Sequence, residues 1–517
     1  MRLKIVEGKN KKFYVGICDY PPVSETDKFI YRAIQMCCYR KQYMPFIKSF
    51  NKTIEYSYLV RDIMFPIQFW QDVKTQIDKI VKPGSEEYPE IINEEILYHN
   101  IDEDEFWEWL NTLNLPEKYN GIYTEKYEYQ PKSVLGALKN RMSRITIGTG
   151  GGKTLITYMF CRYIIEHKLY TYQANGDPRR ILIVVPRKDL CIQLKSDFAD
   201  YDSNRNEKIN VETIFSGGIR SIDAQVTVGT YQSLCEYDQE YFDQFSTIIL
   251  DEVHTGKSYS IINKIYSKCM YLERTFGMTG TMPDYQTLDY LHIVAMCGPL
   301  VYTKKTKDLM EDGNVVPVKI QIVRINYDEA KDYSKNLKEN GIVGVDKWRL
   351  EKTWFQENEK RNLLILKLIK NIPGNSIILV DTKSYIHLLY NYLSNECPEK
   401  QFGKIYGDID TDERTRIKQL MEVNDNIVMI ATYGTMSTGV SIKRVNNVFF
   451  VDGGKSEIRI NQSIGRGLRL HPLKDHLNLF DFQDWMDGSS FKNQSKERNK
   501  VYMKAGFNNI KITEIII

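Results

Sequence analysis

The run Gly148-Thr149-Gly150-Gly151-Gly152-Lys153-Thr154 has the composition of a phosphate cradle. It follows a short strand-like run, Ile145-Thr146-Ile147, and precedes a helical stretch from Leu155 to His167. Successive glycines let backbone N–H groups turn inward around phosphate oxygens. The N-terminus of the following helix adds positive potential. Lys153 is then placed to reach the β- and γ-phosphates, and the Thr154 hydroxyl to bind Mg²⁺. The strict spacing G-x-x-x-x-G-K-[ST] is not met, because Ile147 stands where its first glycine belongs. Downstream, the apolar run Thr247-Ile248-Ile249-Leu250 ends in Asp251-Glu252-Val253-His254. Asp251 is expected to hold Mg²⁺ through water, and Glu252 to orient and deprotonate an attacking water. Near the end, Gln462-Ser463-Ile464-Gly465-Arg466-Gly467-Leu468-Arg469 sets two arginines three residues apart, a spacing that predicts one helical face. Gly256-Lys257-Ser258 imitates the end of a phosphate loop but lacks the glycine-rich turn before it, and reads as a plain loop.

These groups need a scaffold that brings distant segments to one edge. Apolar strand-like runs occur at Ile181–Val185, Val226–Val228 and Thr247–Leu250. A second set follows at Ser376–Val380, Ile427–Ala431, Asn447–Val451 and Leu477–Phe480. Near-continuous Ile/Val/Leu runs separated by helical stretches indicate parallel sheets covered on both faces. The two sets divide near Ile325, which predicts two α/β lobes. Residues 1–95 read as a small α+β domain. Leu3–Val6 and Phe13–Ile17 form a hairpin around Gly8-Lys9-Asn10, Thr26–Cys38 is a helix, and Phe65–Val81 has apolar residues at helical spacing. The expected division is 1–95, 96–325, 326–490, and a 491–517 tail that packs back on the core, over the first lobe, and ends in a covered edge strand.

The chain has 517 residues, 42% hydrophobic and 26% charged, an ordinary globular composition. No apolar run approaches the roughly 20 residues of a membrane helix, and residues 1–19 do not read as a signal peptide. The nine cysteines are never spaced C-x-x-C. They read as buried free thiols in a reducing compartment, the cytoplasm. A net charge of +3 announces no nucleic-acid partner, so any basic footprint must be local. The best candidate is Tyr39 to Lys52, with Arg40, Lys41, Lys48 and Lys52 among four aromatics and no acid. Cations there could meet phosphates, and aromatics could stack on bases.

In order and type, the motifs from Gln130 to Arg469 resemble those of the superfamily 2 DExH helicases. That resemblance implies two tandem RecA-like parallel-sheet lobes, α/β in class, behind the small N-terminal domain. It implies a nucleic-acid-stimulated ATPase using ATP and Mg²⁺. Gln130 corresponds to the motif that recognises adenine. It joins Gly148, Thr149, Gly150, Gly151, Gly152, Lys153, Thr154 and Asp251 as the ATP-binding set. Glu252, Lys153, Gln462, Arg466 and Arg469 are the implied catalytic set, with Arg469 as the finger on the γ-phosphate and Arg466 on that phosphate or Glu252. His254, Thr279 and Thr281 of Phe276–Thr281, and Gly439 of Ala431–Ser441 correspond to coupling residues. Ser441 stands where the family pattern has Asp. Arg187, Lys188, Thr230, Thr382, Lys383 and Thr432 correspond to contacts along the nucleic-acid backbone.

Gly229–Gln232, Asp251–Ser258, Leu309–Gly313, Tyr433–Gly439 and Gln462–Arg469 further resemble the UvsW-type recombination helicases of T4-like phages. This implies a translocase, expected as a monomer, on branched or forked DNA and RNA–DNA hybrids, in the cytoplasm of a host cell if the chain is phage-encoded. An RNA helicase and the motor subunit of a restriction system are the alternatives that the core motifs do not separate. A non-catalytic scaffold is disfavoured by the intact set Lys153, Thr154, Asp251, Glu252 and Arg469.

Overall fold

The apolar runs assemble into two seven-stranded parallel sheets, preceded by a small mixed module. The computed structural model describes residues 1–7, 13–44, 52–60, 63–215, 224–253, 259–328, 330–407, 409, 411–436, 442–452, 454, 456–486 and 489–517. By contacts the chain forms two compact units. One is Met1–Ile147 with Gly152–Lys304, and the other is Gly148–Gly151 with Lys305–Ile517.

The first unit opens with β1 (Arg2–Glu7) and β2 (Phe13–Ile17), antiparallel as their alternation predicts. The turn expected at Gly8-Lys9-Asn10 lies outside the described residues. A helix, Glu25–Cys38, follows, with the Ser24 hydroxyl accepting from Asp27 N. Then come a two-stranded ribbon, β3 (Tyr39–Met44) against β4 (Lys52–Ser57), and the short β5 (Met64–Pro66) and β6 (Glu90–Ile92). The small sheet runs β5-β2-β1-β6. Its inward residues Leu3, Ile5, Val15 and Ile17 pack on Ile30, Ile34, Trp70, Val73 and Ile77. Leu291 and Val294, from the helix Leu288–Cys297, complete that core, so the module shares apolar surface with the sheet domain behind it.

The first large sheet holds β7 (Met142–Ile147), β8 (Arg180–Val185), β9 (Val211–Ile214), β10 (Val226–Thr230), β11 (Phe245–Asp251), β12 (Arg274–Thr279) and β13 (Leu300–Lys304). Their order is β13-β7-β12-β11-β8-β10-β9, all parallel. Register aligns their carboxyl ends: Thr279 pairs with Thr146, Asp251 with Met278, and Thr230 with Val185.

The second sheet holds β14 (Val318–Asn326), β15 (Ser376–Val380), β16 (Gln401–Ile405), β17 (Ile427–Thr432), β18 (Asn447–Phe450), β19 (Leu477–Trp485) and β20 (Ile510–Ile516). The order is β16-β17-β15-β18-β19-β14-β20, again all parallel. β14 straddles Ile325, where the sequence places the lobe boundary, yet it lies wholly in this sheet between β19 and β20. Its polar residues alternate with apolar ones, which hides it from a search for continuous apolar runs. The tail belongs here as well. The helix Ser490–Lys504 fixes Arg498 on Asp481 of β19 at 3.0 Å, and β20 forms the outer strand. Ile512 and Ile516 stay exposed along that edge, where Lys511 and Glu514 supply charge.

Candidate active site

Three strand ends lie side by side in the first sheet, because β7, β12 and β11 are consecutive neighbours. They deliver the glycine-rich loop, the Thr279–Thr281 segment and the Asp251-Glu252 pair. After β7, Gly150 and Gly152 take positive φ, 89° and 79°, a region open to glycine at little cost. A Cβ on Gly152 would also fall 2.3 Å from Gln130 Nε2, so that amide would have to shift. Gln130 is itself buried near the start of the helix Tyr129–Lys139. Its amide therefore packs against the residue that precedes Lys153. The helix Lys153–Glu166 begins with no side chain capping its first N–H groups. An uncapped helix start after a glycine turn is suited to an anion.

Lys153 Nζ lies 3.6 Å from Glu252 Oε1, with the two side chains 15% and 21% exposed. Glu252 has φ 52°, a left-handed conformation unusual for a side-chain-bearing residue. Its amide donates to Asp251 Oδ1 at 2.9 Å, which turns the chain sharply at the end of β11. Strain of this kind concentrates at functional sites. One strand away, the buried Thr279 hydroxyl donates to Thr281 O at 2.9 Å and accepts from Thr281 N at 3.2 Å. A Cβ on Gly277 would meet Cys297 Sγ at 2.3 Å, so the strand comes close to the helix Leu288–Cys297.

A family model described as the res subunit of type III restriction enzymes matches residues 117–284, and the helicase conserved C-terminal domain matches residues 359–471. The chain is 30% identical over 419 residues to the ATP-dependent DNA helicase UvsW of Enterobacteria phage T4, covering 78% of this chain and 76% of that protein. It is 26% identical over 385 residues to L396 of Acanthamoeba polyphaga mimivirus, a protein named as an ATP-dependent RNA helicase. That match covers 70% of this chain and 64% of the relative. Among solved structures, a fragment of an HsdR subunit of a type I restriction enzyme from Vibrio vulnificus YJ016 matches with a TM-score of 0.56. At 16% identity, covering 90% of this chain and 76% of that one, it shows a shared fold.

The chain belongs to the superfamily 2 helicases. It is a UvsW-like, ATP-dependent enzyme with two RecA-like lobes.

In the second lobe of this helicase, Gln462 and Arg466 lie on the helix Glu457–Arg466, and both are half-buried. Arg469 lies beyond that helix, so the spacing of three does not place both arginines on one helical face. The helix stops because Leu468 O accepts from Val316 N at 2.8 Å, drawing the backbone toward the segment before β14. Space closes there too: a Cβ on Gly467 would fall 2.7 Å from the Leu477 side chain. The chain past the helix is held by Lys474, a residue the motif reading missed. Its ammonium donates to Gly467 O at 2.7 Å and to Lys443 O at 3.2 Å. Burial, with Arg469 adding repulsion against the favourable Glu422, lowers its pKa to about 8.

Three threonines from the sequence reading share one local role. Thr230, Thr382 and Thr432 each stand at or just after a strand end and accept from the N–H three residues on, at Ser233, Tyr385 and Thr435. They are first of all N-caps. Thr230 is buried, while Thr382 and Thr432 are half-buried. Arg187 and Lys188 are exposed at the start of the helix Lys188–Tyr201, and Lys383 is exposed beside Tyr406. His254 and Gly439 lie outside the described residues.

Arg40 departs from its expected place in a basic surface. It is only 8% exposed, stacks over Tyr285 at 4.4 Å, and donates to Tyr285 O and Tyr39 O at 3.0 and 2.7 Å. Lys48 lies outside the described residues.

Proposed function

We propose that the chain is a DNA translocase and helicase for branched or forked duplexes and RNA–DNA hybrids, acting as a monomer in recombination, repair or replication. The observation that carries the chemistry is the 3.6 Å approach of Lys153 to Glu252. That approach places the ammonium between the carboxylate and the glycine-rich loop's helix start. When a triphosphate settles on the loop Gly148–Gly152, Lys153 turns to its β- and γ-oxygens and Glu252 is released to take a proton from water. Gln130 is assigned to the adenine edge.

Thr154 and Asp251 offer the hard oxygen donors that suit Mg²⁺, and the cation would neutralise charge on the β- and γ-phosphates. Arg469 neutralises charge at the γ-phosphate, with Arg466 and Gln462 beside it. Thr279, Thr281, His254 and Gly439 pass the change to the grips at Arg187, Lys188, Thr230, Thr382, Lys383 and Thr432. Backbone grips imply little sequence preference.

The DNA assignment draws on the UvsW relationship, and the test is direct. ATPase rates are measured with single-stranded DNA, forked DNA, duplex DNA and RNA. Forked or branched DNA should stimulate most. Stimulation by RNA alone would transfer the enzyme to the RNA-helicase reading.

A further inference from the structure

The β3–β4 ribbon is fastened to the first lobe at two places, one on β3 and one just past β4. Each place lies on chain that has just left an ATP motif. On β3, Arg40 is the fastener. Its guanidinium lies over the Tyr285 ring, and its Nε donates to Tyr285 O. Nη1 donates to Tyr39 O and to Met36 O, which ties the same group back to the helix that leads into the ribbon. Tyr285 is four residues beyond Thr281, at the exit of the Thr279–Thr281 segment.

Just past β4, Tyr58 is the fastener. Its hydroxyl bonds both to the Tyr259 hydroxyl and to His292 Nδ1, the latter at 2.9 Å. Tyr259 begins the helix Tyr259–Lys268, the first described element after Asp251-Glu252-Val253. The His292 ring is half-buried between two tyrosines. Tyr259 stacks on it at 3.8 Å with a 13° tilt, and Tyr56 of β4 meets it edge-on at 5.0 Å. Burial keeps His292 below its ordinary pKa, so the ring stays neutral with Nδ1 free to accept. A consistent chain then runs from Tyr259 O–H to Tyr58 O, and from Tyr58 O–H to His292 Nδ1.

Two attachments would be redundant for anchoring alone, because the module already shares the apolar core around Leu291 and Val294. A half-buried polar network whose donors and acceptors are paired favours one arrangement of its members. Here the members are the ribbon and the two exits.

We propose that Arg40 and Tyr58 are positioning residues that couple the ribbon to the ATP cycle, so that movement of the segments leaving Glu252 and Thr281 resets the ribbon. The inference rests on the motor reading above. Coupling across such contacts changes equilibria by a few-fold to some tens of fold.

Tyr58→Phe is the sharpest probe. It keeps the ring, which packs 5.2 Å from Phe69, and removes only the hydroxyl. Arg40→Ala removes the other attachment, and Arg40→Lys restores charge without the planar stack. Each full-length variant is checked by thermal melting. ATPase is then measured with and without forked DNA, alongside ATP consumed per base pair unwound. The expected result is basal kcat and KM for ATP within about twofold of wild type, DNA KM little changed, and DNA-stimulated kcat down about tenfold in Tyr58→Phe and Arg40→Ala. Arg40→Lys should recover only part of the loss.

Full stimulation in a folded Tyr58→Phe and a folded Arg40→Ala would overturn the proposal. So would a rise in DNA KM at unchanged kcat, which marks a passive grip. A wild-type enzyme that no nucleic acid stimulates would instead sink the motor reading, and this proposal with it.

Discussion

The two large sheets have the same number of strands, all parallel, yet they use charge at their strand ends in opposite ways. In the first, β7 runs into a glycine turn and an uncapped helix start, and Lys153 and Glu252 remain partly open to solvent. In the second, β15 runs into Asp381-Thr382, and the Thr382 hydroxyl caps the helix Lys383–Glu396. The N–H groups that could greet a phosphate in one lobe are met by a side chain in the other. The second lobe's carboxylates are also neutralised from within. Lys352 pairs with Asp381 at 2.8 Å, and Arg361 grips Asp484 with bonds of 2.8 and 3.0 Å. Asp452 accepts from Gln356 at 3.0 and 3.1 Å and from Asp381 N at 2.7 Å. The contrast is local to these strand ends, since the first lobe also carries internal ion pairs such as Arg162 with Glu166 at 2.9 Å.

Mutations can break this contrast. Lys153→Ala should abolish nucleic-acid-stimulated ATPase, on the order of 10³-fold or more, with nucleic-acid binding and melting temperature nearly unchanged. Substantial turnover in that variant would reject the site. Arg469→Ala should lower kcat by roughly 10³-fold while ATP binding persists; a KM effect alone would deny it a role at the γ-phosphate. Arg361→Ala should do the reverse of Lys153→Ala. It leaves the buried Asp484 with the Tyr327 hydroxyl but no cation, and should cost about 3–5 kcal/mol of stability, read by denaturant titration.

Two pH effects sharpen the contrast further. Lys474 has a folded pKa of about 8 against an ordinary 10.5, so the unfolded chain holds more protons between those values. Its burial penalty is therefore complete below pH 8 and fades as pH rises toward 10.5. The melting temperature of wild type relative to Lys474→Met should rise across that window; a flat difference would show that the ammonium is not desolvated. His99 behaves likewise on the acid side. Burial, reinforced by Arg274 and Arg141, lowers it to about 4, so it costs stability as pH falls from 6.5 to 4. His99→Gln should flatten that limb slightly in the same melting series.

Much of this is legible in the sequence. The glycine-rich loop, the Asp-Glu strand end and the arginine-bearing segment each carry local chemistry, and continuous Ile/Val/Leu runs announce parallel strands. β14 was less legible because its alternation resembles a half-exposed strand. That Arg466 and Arg469 share no helical face is not legible, because spacing cannot say where a helix ends when a distant amide, Val316 N, captures Leu468 O. Arg40 looked like surface charge because its partner, Tyr285, is 245 residues away.

By itself, then, the sequence determined the two-sheet class and the helicase family, since these follow from apolar runs and from the types and order of local motifs. Tertiary structure alone decided which charges face solvent and which are locked inside. It paired Lys153 with Glu252, turned three threonines into helix caps and fastened the ribbon to the exits of two motifs. Burial and pairing depend on groups brought together across the chain, and local spacing carries no record of them.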